Sequence, residues 1–364
     1  RATFSASSSG VGASTMTVLV NRDAFYGKAG INNHLTKNLG RTRMGGSLEA
    51  GGLLNGGDGL RLDAWRGVSN SGYLYLGGSY SQMLGADGLQ LGMSASYSNS
   101  EPEQGQLADL DYLGKHAFVG ASLSYPLIRA RQRNFSVGGA VGVSNSKSSV
   151  LDESFTEDRM RTLSVNASYD FAEQSGAVNL LRGAFTQGLG SLGATADDDP
   201  LKSRANGSAS FSNLELTAIR NQPLGGAFSL YLQAHAQAAL GDPVLSAAEC
   251  TYGGRILGRG YDTGAINGDH CVMAGGELRW FQGFASGWNL QLYGFADIGK
   301  VFQKGDLLAG EERSRRAVSW GGGMRTQFGS SLTANLEVAE AVHDEFRGQD
   351  QKSPRIFFSI TSGF

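Results

Sequence analysis

Acid, base and metal chemistry find few candidates in this chain. Its five histidines (His34, His116, His235, His270 and His343) are scattered, and no His-x-x-x-His or Cys-x-x-Cys spacing would gather ligands around zinc. No Gly-x-Ser-x-Gly elbow lifts a serine for nucleophilic attack. The run Asp197-Asp198-Asp199, followed by Pro200, supplies too few oxygen ligands for calcium and reads as a solvated loop tip. No catalytic residue, metal or cofactor is therefore assigned. What remains is one cation and two acids: Arg259, within Gly258-Arg259-Gly260-Tyr261, and the downstream Glu277 and Asp297. Glycines on both sides of Arg259 leave the backbone nearly bare, so this loop can pack where a bulkier one could not. A guanidinium can hold a carboxylate through two short parallel hydrogen bonds, which would fix a loop tip at one place. Whether these groups can meet depends on the elements that carry them.

The 364 residues include 54 glycines and only six prolines, with 18% charged residues and a net charge of -2. That balance gives no electrostatic footprint for a nucleic-acid partner. No apolar run approaches the roughly eighteen residues of a membrane helix. Mean hydropathy is only -0.21, yet the segments alternate strongly, which is how a membrane β-barrel hides in a hydropathy profile.

The alternation has a strict period of two. In residues 89–98, Leu89, Leu91, Met93, Ala95 and Tyr97 oppose Gln90, Gly92, Ser94, Ser96 and Ser98. Residues 163–171 and 228–240 repeat the pattern, the latter with Leu230, Leu232, Ala234 and Ala236 against Tyr231, Gln233 and His235. A soluble sandwich would alternate too. The polar faces, however, are Ser, Gln and Asn rather than Lys and Glu, which suits a water-filled lumen, and the segments end in aromatics like interface girdles. Tight turns at 55–58, 85–88, 174–176, 223–226 and 329–330 alternate with longer polar loops near 99–111, 146–158, 189–205, 241–270, 300–314 and 343–354. Short turns on one side and long loops on the other are the outer-membrane arrangement. The expected fold is all-β: a transmembrane antiparallel barrel of about 16 strands over residues 22–364. Alternation slips at Asn213, where a bulge is expected. Residues 1–21 read as two short strands, 2–8 and 15–20, around a Ser/Gly turn, the tail of a preceding periplasmic domain. Arg1 in place of Met reads as the start of a mature fragment.

Within that frame Asn289, Gln291, Tyr293, Phe295 and Asp297 share the inward phase of one strand, and Glu277 and Arg279 that of the preceding one. If the loop between 241 and 270 folds back into the lumen, Arg259 can reach Asp297, with Glu277 a second candidate. If it stays in solvent, Arg259 is a surface cation and Asp297 merely lines a wet channel. Cys250 and Cys271, the chain's two cysteines, flank this loop at the exterior, oxidising end, and a disulfide between them is expected to staple its base. The last segment, 355–364, puts Ile356, Phe358, Ile360 and the terminal Phe364 on one face.

These residues resemble the two-partner-secretion transporters, the haemolysin-activator type of the superfamily that joins POTRA domains to an outer-membrane barrel. The resemblance covers nearly the whole chain. It rests chiefly on the Arg-Gly-Tyr loop, then on Asn267-Gly268-Asp269, Glu277-Leu278-Arg279, Phe295-x-Asp297-x-Gly299 and the terminal Phe364, with Ile31-Asn32-Asn33 and Gly40-Arg41-Thr42-Arg43 near the start. It implies that the loop enters the barrel, that Arg259 pairs with Asp297, that Phe364 is the signal read by the barrel-insertion machinery, and that residues 1–21 end a POTRA domain. The family usually has Val before the Arg-Gly-Tyr; here the residue is Gly258. The implied function is secretion of a large unfolded exoprotein (adhesin, cytolysin or contact-dependent toxin) across the outer membrane of a Gram-negative bacterium, the barrel standing in outer-membrane lipid. A barrel-assembly factor of the same superfamily is the runner-up. A passive porin or a barrel-scaffolded enzyme is the reading from other classes; a porin has no need of Arg259 opposite Asp297.

Overall fold

The computed structural model describes residues 2–6, 14–18, 25–54, 56–68, 72–285, 287–305, 307, 312–343 and 354–364. β1 (Ala2–Ala6) and β2 (Ser14–Val18) pair antiparallel as a sheet of their own. The turn expected between them falls at residues 7–13, outside the described residues, as do residues 19–24 and most of the loop expected at 343–354.

Sixteen strands then close into one barrel. In chain order the first eleven are β3 (Phe25–Asn32), β4 (Arg43–Gly51), β5 (Asp58–Gly67), β6 (Tyr73–Leu84), β7 (Leu89–Ser100), β8 (Leu113–Ala130), β9 (Arg133–Val150), β10 (Glu153–Ala172), β11 (Val178–Gly188), β12 (Ser212–Gly225) and β13 (Phe228–Leu240). Two short strands, β14 (Cys250–Tyr252) and β15 (Ile266–Gly268), leave the wall and pair with each other. The wall resumes with β16 (His270–Gly283), β17 (Trp288–Phe302), β18 (Ser314–Phe328), β19 (Leu332–Ala341) and β20 (Arg355–Gly363). Every wall strand pairs antiparallel with its neighbours, and β20 pairs with β3 to close the ring. Closure satisfies every ladder without an edge, as a sheet in hydrocarbon requires.

The two phases of each strand meet different solvents. Val272, Leu278, Leu292, Ile298, Trp320 and Ile356 stand exposed on the outer face, whereas Tyr293, Phe295, Asp297 and Val301 are buried inside. The largest apolar cluster among the described residues lies within the barrel, where Tyr252, Leu257, Tyr261 and Ile266 pack on Met273, Val301, Ala317 and Ala341 of the wall.

Two expectations need correction. Residues 146–158 are not a loop: β9 and β10 run 18 and 20 residues and meet at a turn of only Leu151 and Asp152, both with positive φ (50° and 64°). Two such residues make the tight turn whose twist matches paired strands. The Ser- and Lys-rich stretch looked like a loop because strands longer than the roughly ten residues of a span can stand in water with both faces polar. The bulge expected at Asn213 is absent as well. β12 starts at Ser212 and keeps register with β11 through Asn221, so the residues before it belong to the exterior loop, where Ala209 and Phe211 are buried. The register breaks instead at Pro223/Gly225, at Pro126/Ile128 and at Ser154/Thr156. Pro lacks the N–H that the ladder would use, which accounts for the first two.

Candidate functional site in the barrel lumen

The connection from β13 to β16 folds into the lumen, and small residues make room for it. At Gly299 a Cβ would come within 2.2 Å of the Tyr252 ring, and at Gly275 one would lie 2.7 Å from Leu257 and 2.5 Å from Asp297. The base is held by the β14–β15 ladder and by a disulfide between Cys250 and Cys271, whose Cα atoms are 6.1 Å apart. The tip turns at Gly258, where φ is +84° and the Tyr261 N–H donates to the Gly258 carbonyl at 2.9 Å. A β-branched residue is an outlier at that φ. Gly258 adopts it without a Cβ clash.

The tip delivers Arg259 to the wall. Its Nη2 donates to Asp297 Oδ1 at 2.8 Å and its Nε to Oδ2 at 3.0 Å, while Nη1 donates to Glu277 Oε1 at 2.5 Å. The guanidinium carbon lies 3.5 Å from the centroid of the Phe295 ring. Side-chain exposure is 5% for Arg259 and 0% for Asp297, so the pair is out of water. Burial alone would lower the Arg259 pKa, but the hydrogen bonds and charge of Asp297, with Glu337 and Glu277 behind it, outweigh that and raise it. The arginine is always charged.

Further charges close the network. Glu277 also accepts from Arg279 Nε at 2.7 Å and from Arg325 Nη1 and Nη2, both at 2.9 Å. Glu337 accepts from the Tyr293 hydroxyl at 2.7 Å and lies 3.5 Å from Arg259 Nη1. Three arginines thus face three carboxylates, and losing one member would leave an uncompensated buried charge. The remaining tip residues engage the next strands in turn. Tyr261 donates to the Val318 carbonyl of β18 at 2.9 Å, Gly260 lies against Glu340 and Ala341 of β19, and Asp262 pairs with Arg355 of β20 at 2.6 Å. The loop is fixed to five consecutive strands, β16 to β20. Sequence reasoning missed Arg325 and Glu337, although the same period-two phase that marked Asp297 puts both inward on β18 and β19.

The model of the family haemolysin secretion/activation protein ShlB/FhaC/HecB matches residues 13–326. The chain belongs to this family. Its barrel is that of a two-partner-secretion transporter of the Gram-negative outer membrane. Among solved structures, the fold is similar to CdiB from Escherichia coli (17% identity, TM-score 0.82, covering 100% of this chain and 67% of that one). CdiB from Acinetobacter baumannii matches at 15% identity and TM-score 0.70, over 96% and 61% of the two chains. BamA from Haemophilus ducreyi lacking POTRA domains 1–3 matches at 13% identity and TM-score 0.65, over 100% and 75%. The chain thus spans 67% and 61% of the length of the two CdiB chains. No curated protein matches it.

A second ionic knot binds the exterior loops of this family member. Arg204, which sequence reasoning passed over, donates to both oxygens of Asp269 at 2.8 and 3.0 Å and to Gln303 Oε1 at 2.8 Å. The Val244 and Lys304 N–H groups reach the same carboxylate, each at 2.8 Å. Burial would raise the Asp269 pKa, but Arg204 and those two N–H groups hold it below the usual range. Asp269 belongs to the Asn267-Gly268-Asp269 run, and the knot ties the loop's return to the connection at 189–211 and to Gln303 and Lys304 beyond β17. His235 lies close to both cysteine sulfurs, but these are joined to each other and are not thiolate ligands. Phe364 ends the wall, exchanging N–H···O bonds of 2.9 Å with Gly27 of β3 while its side chain is exposed on the outer face.

Proposed function

We propose that this barrel passes one large, unfolded exoprotein from periplasm to surface, and that the Arg259 loop sets the luminal path it takes. The observation that carries the reading is the buried pairing of Arg259 with Asp297 and Glu277. A tip fixed at one point of the wall narrows the lumen on one side and defines the remaining passage, which a passive pore would not need. The cargo is an adhesin, a cytolysin or a contact-dependent toxin. Residues 1–21 are the end of a periplasmic POTRA domain that hands over the cargo, in keeping with their separate strand pair. Transport of this kind needs no bond chemistry, so no residue acts catalytically. Phe364, at the seam and exposed on the outer face, is the terminal signal read by the insertion machinery, and the apolar outer phase meets outer-membrane lipid.

One observation favours the barrel-assembly reading. The closing ladder is short, with Lys28–Asn32 paired to Ser359–Gly363 and single residues, Gly27 with Phe364 and Asn33 with Phe358, bonded at its two ends, and a short seam suits a barrel that opens sideways to insert other proteins. Deleting the gene and comparing surface and supernatant proteomes separates the two. Loss of one very large exoprotein supports secretion; a general fall in outer-membrane barrels supports assembly.

A further inference from the structure

Where the luminal loop meets the barrel seam there is a cavity of about 20 Å³, lined among others by Arg255, Asp262, Glu337, Arg355, Phe357 and His34. It has room for one particle of water size. Arg355 is 93% buried (7% exposed), and its Nη2 holds Asp262 Oδ1 at 2.6 Å. Its Nε and Nη1 are buried without a hydrogen-bond partner, as is Nδ1 of His34. A guanidinium only donates, so what is missing is an acceptor. Leaving such donors unmet is costly.

We propose that this cavity binds a small inorganic anion, such as chloride, which links the luminal loop to the seam strands. The local charge separates an anion from a water. Arg255 has no ion-pair partner among the described residues. Arg43 acts on the same place through His34, and its own polar partners are Asn32 and Tyr73, both uncharged. Arg41 adds its charge at Arg355. The two acids are already paired with arginines, Asp262 with Arg355 at 2.6 Å and Glu337 with Arg259 at 3.5 Å. The potential is therefore positive, while the size admits a halide and excludes sulfate or phosphate. The route in is open, because His34, Arg255, Glu337 and Phe357 also line a luminal cavity of about 570 Å³. An anion here would add the β3–β4 connection, through His34, to the five strands that already hold the loop.

The test uses the full chain in detergent, crystallised in bromide, with its heat-modifiability transition followed as chloride replaces gluconate at constant ionic strength. The expected result is an anomalous bromide peak beside Arg355 and Arg255, together with a saturable rise of the transition temperature. Arg255→Gln, which removes an unpaired charge from an exposed side chain, should lose both; Arg355→Gln, where it folds, should do the same. A peak explained by water alone, or a chloride response unchanged in Arg255→Gln, would overturn the proposal. Sulfate in place of chloride should give no rise, and a rise equal to that of chloride would also contradict it.

Discussion

Asp297 receives the loop tip four times: from Arg259 Nη2 at 2.8 Å, from Arg259 Nε at 3.0 Å, and from the backbone N–H groups of Gly258 and Arg259 at 3.2 and 3.3 Å. One carboxylate on a wall strand thereby sets both the side chain and the backbone of the turn. The strands themselves are held by their ladders, so position of the loop and integrity of the wall are separable.

That separation can be probed without touching a charge. Gly275→Val would drive a side chain into Asp297 and Leu257, both closer than 3 Å to its Cβ. Gly294→Ala, on the outward phase, would meet nothing nearer than 3.9 Å. Gly275→Val should leave a heat-modifiable barrel whose loop is cut by protease within 253–265, while Gly294→Ala should match the parent in both assays. Protection of the loop in Gly275→Val would count against the packing described.

The disulfide should matter at the base of the loop. Closing the 21-residue separation between Cys250 and Cys271 stabilises by about 3 kcal/mol on a chain-entropy estimate. Alkylation of unreduced protein should find no free thiol. Cys250→Ser with Cys271→Ser should keep the barrel but lower the temperature at which the loop becomes protease-sensitive. Two reactive thiols in the unreduced parent would refute the pairing.

Acid should loosen the site through His34. Burial, then Arg255 and Arg43, hold this histidine at about 3, well below its ordinary value of 6.5. Between those values the unfolded chain binds a proton that the folded chain does not, so stability rises with pH across the window. The contribution is complete above pH 6.5 and declines as pH falls toward 3. In gluconate buffer, where no halide offsets the arginines, the transition temperature of the parent should fall more steeply from pH 7 to 4 than that of His34→Gln. Parallel curves would remove His34 from the account.

Much of this was legible in the sequence because membrane barrels write their pattern plainly. Period-two alternation marks which side of the wall each residue faces, and it puts Asp297 and Glu277 inward. The resemblance supplied the direction in which the loop folds, which alternation alone left open. What stayed hidden depends on height and on distance along the chain. Polar strands standing above the membrane, such as the end of β9, carry no apolar phase and look like loops. Arg204 and Asp269 are 65 residues apart in sequence, and nothing local in either segment announces the other. Arg325, which donates to Glu277, and Glu337, which lies 3.5 Å from Arg259, come from strands further along the chain, and placing them required knowing that β18 and β19 follow β17 in the wall.

The most direct test of the central claim is secretion of the partner exoprotein by Arg259→Ala, measured per folded, heat-modifiable barrel at the cell surface. Removing Arg259 leaves Asp297 buried without its partner, a change that can cost on the order of 3–5 kcal/mol locally, while the wall ladders remain closed. Lysine should not restore function, because it lacks the two-pronged donor set that fits Asp297. The expected result is parental barrel at the surface with secretion strongly reduced in both Arg259→Ala and Arg259→Lys. Parental secretion by Arg259→Ala at matched barrel levels would show that the position of the loop tip is dispensable for transport.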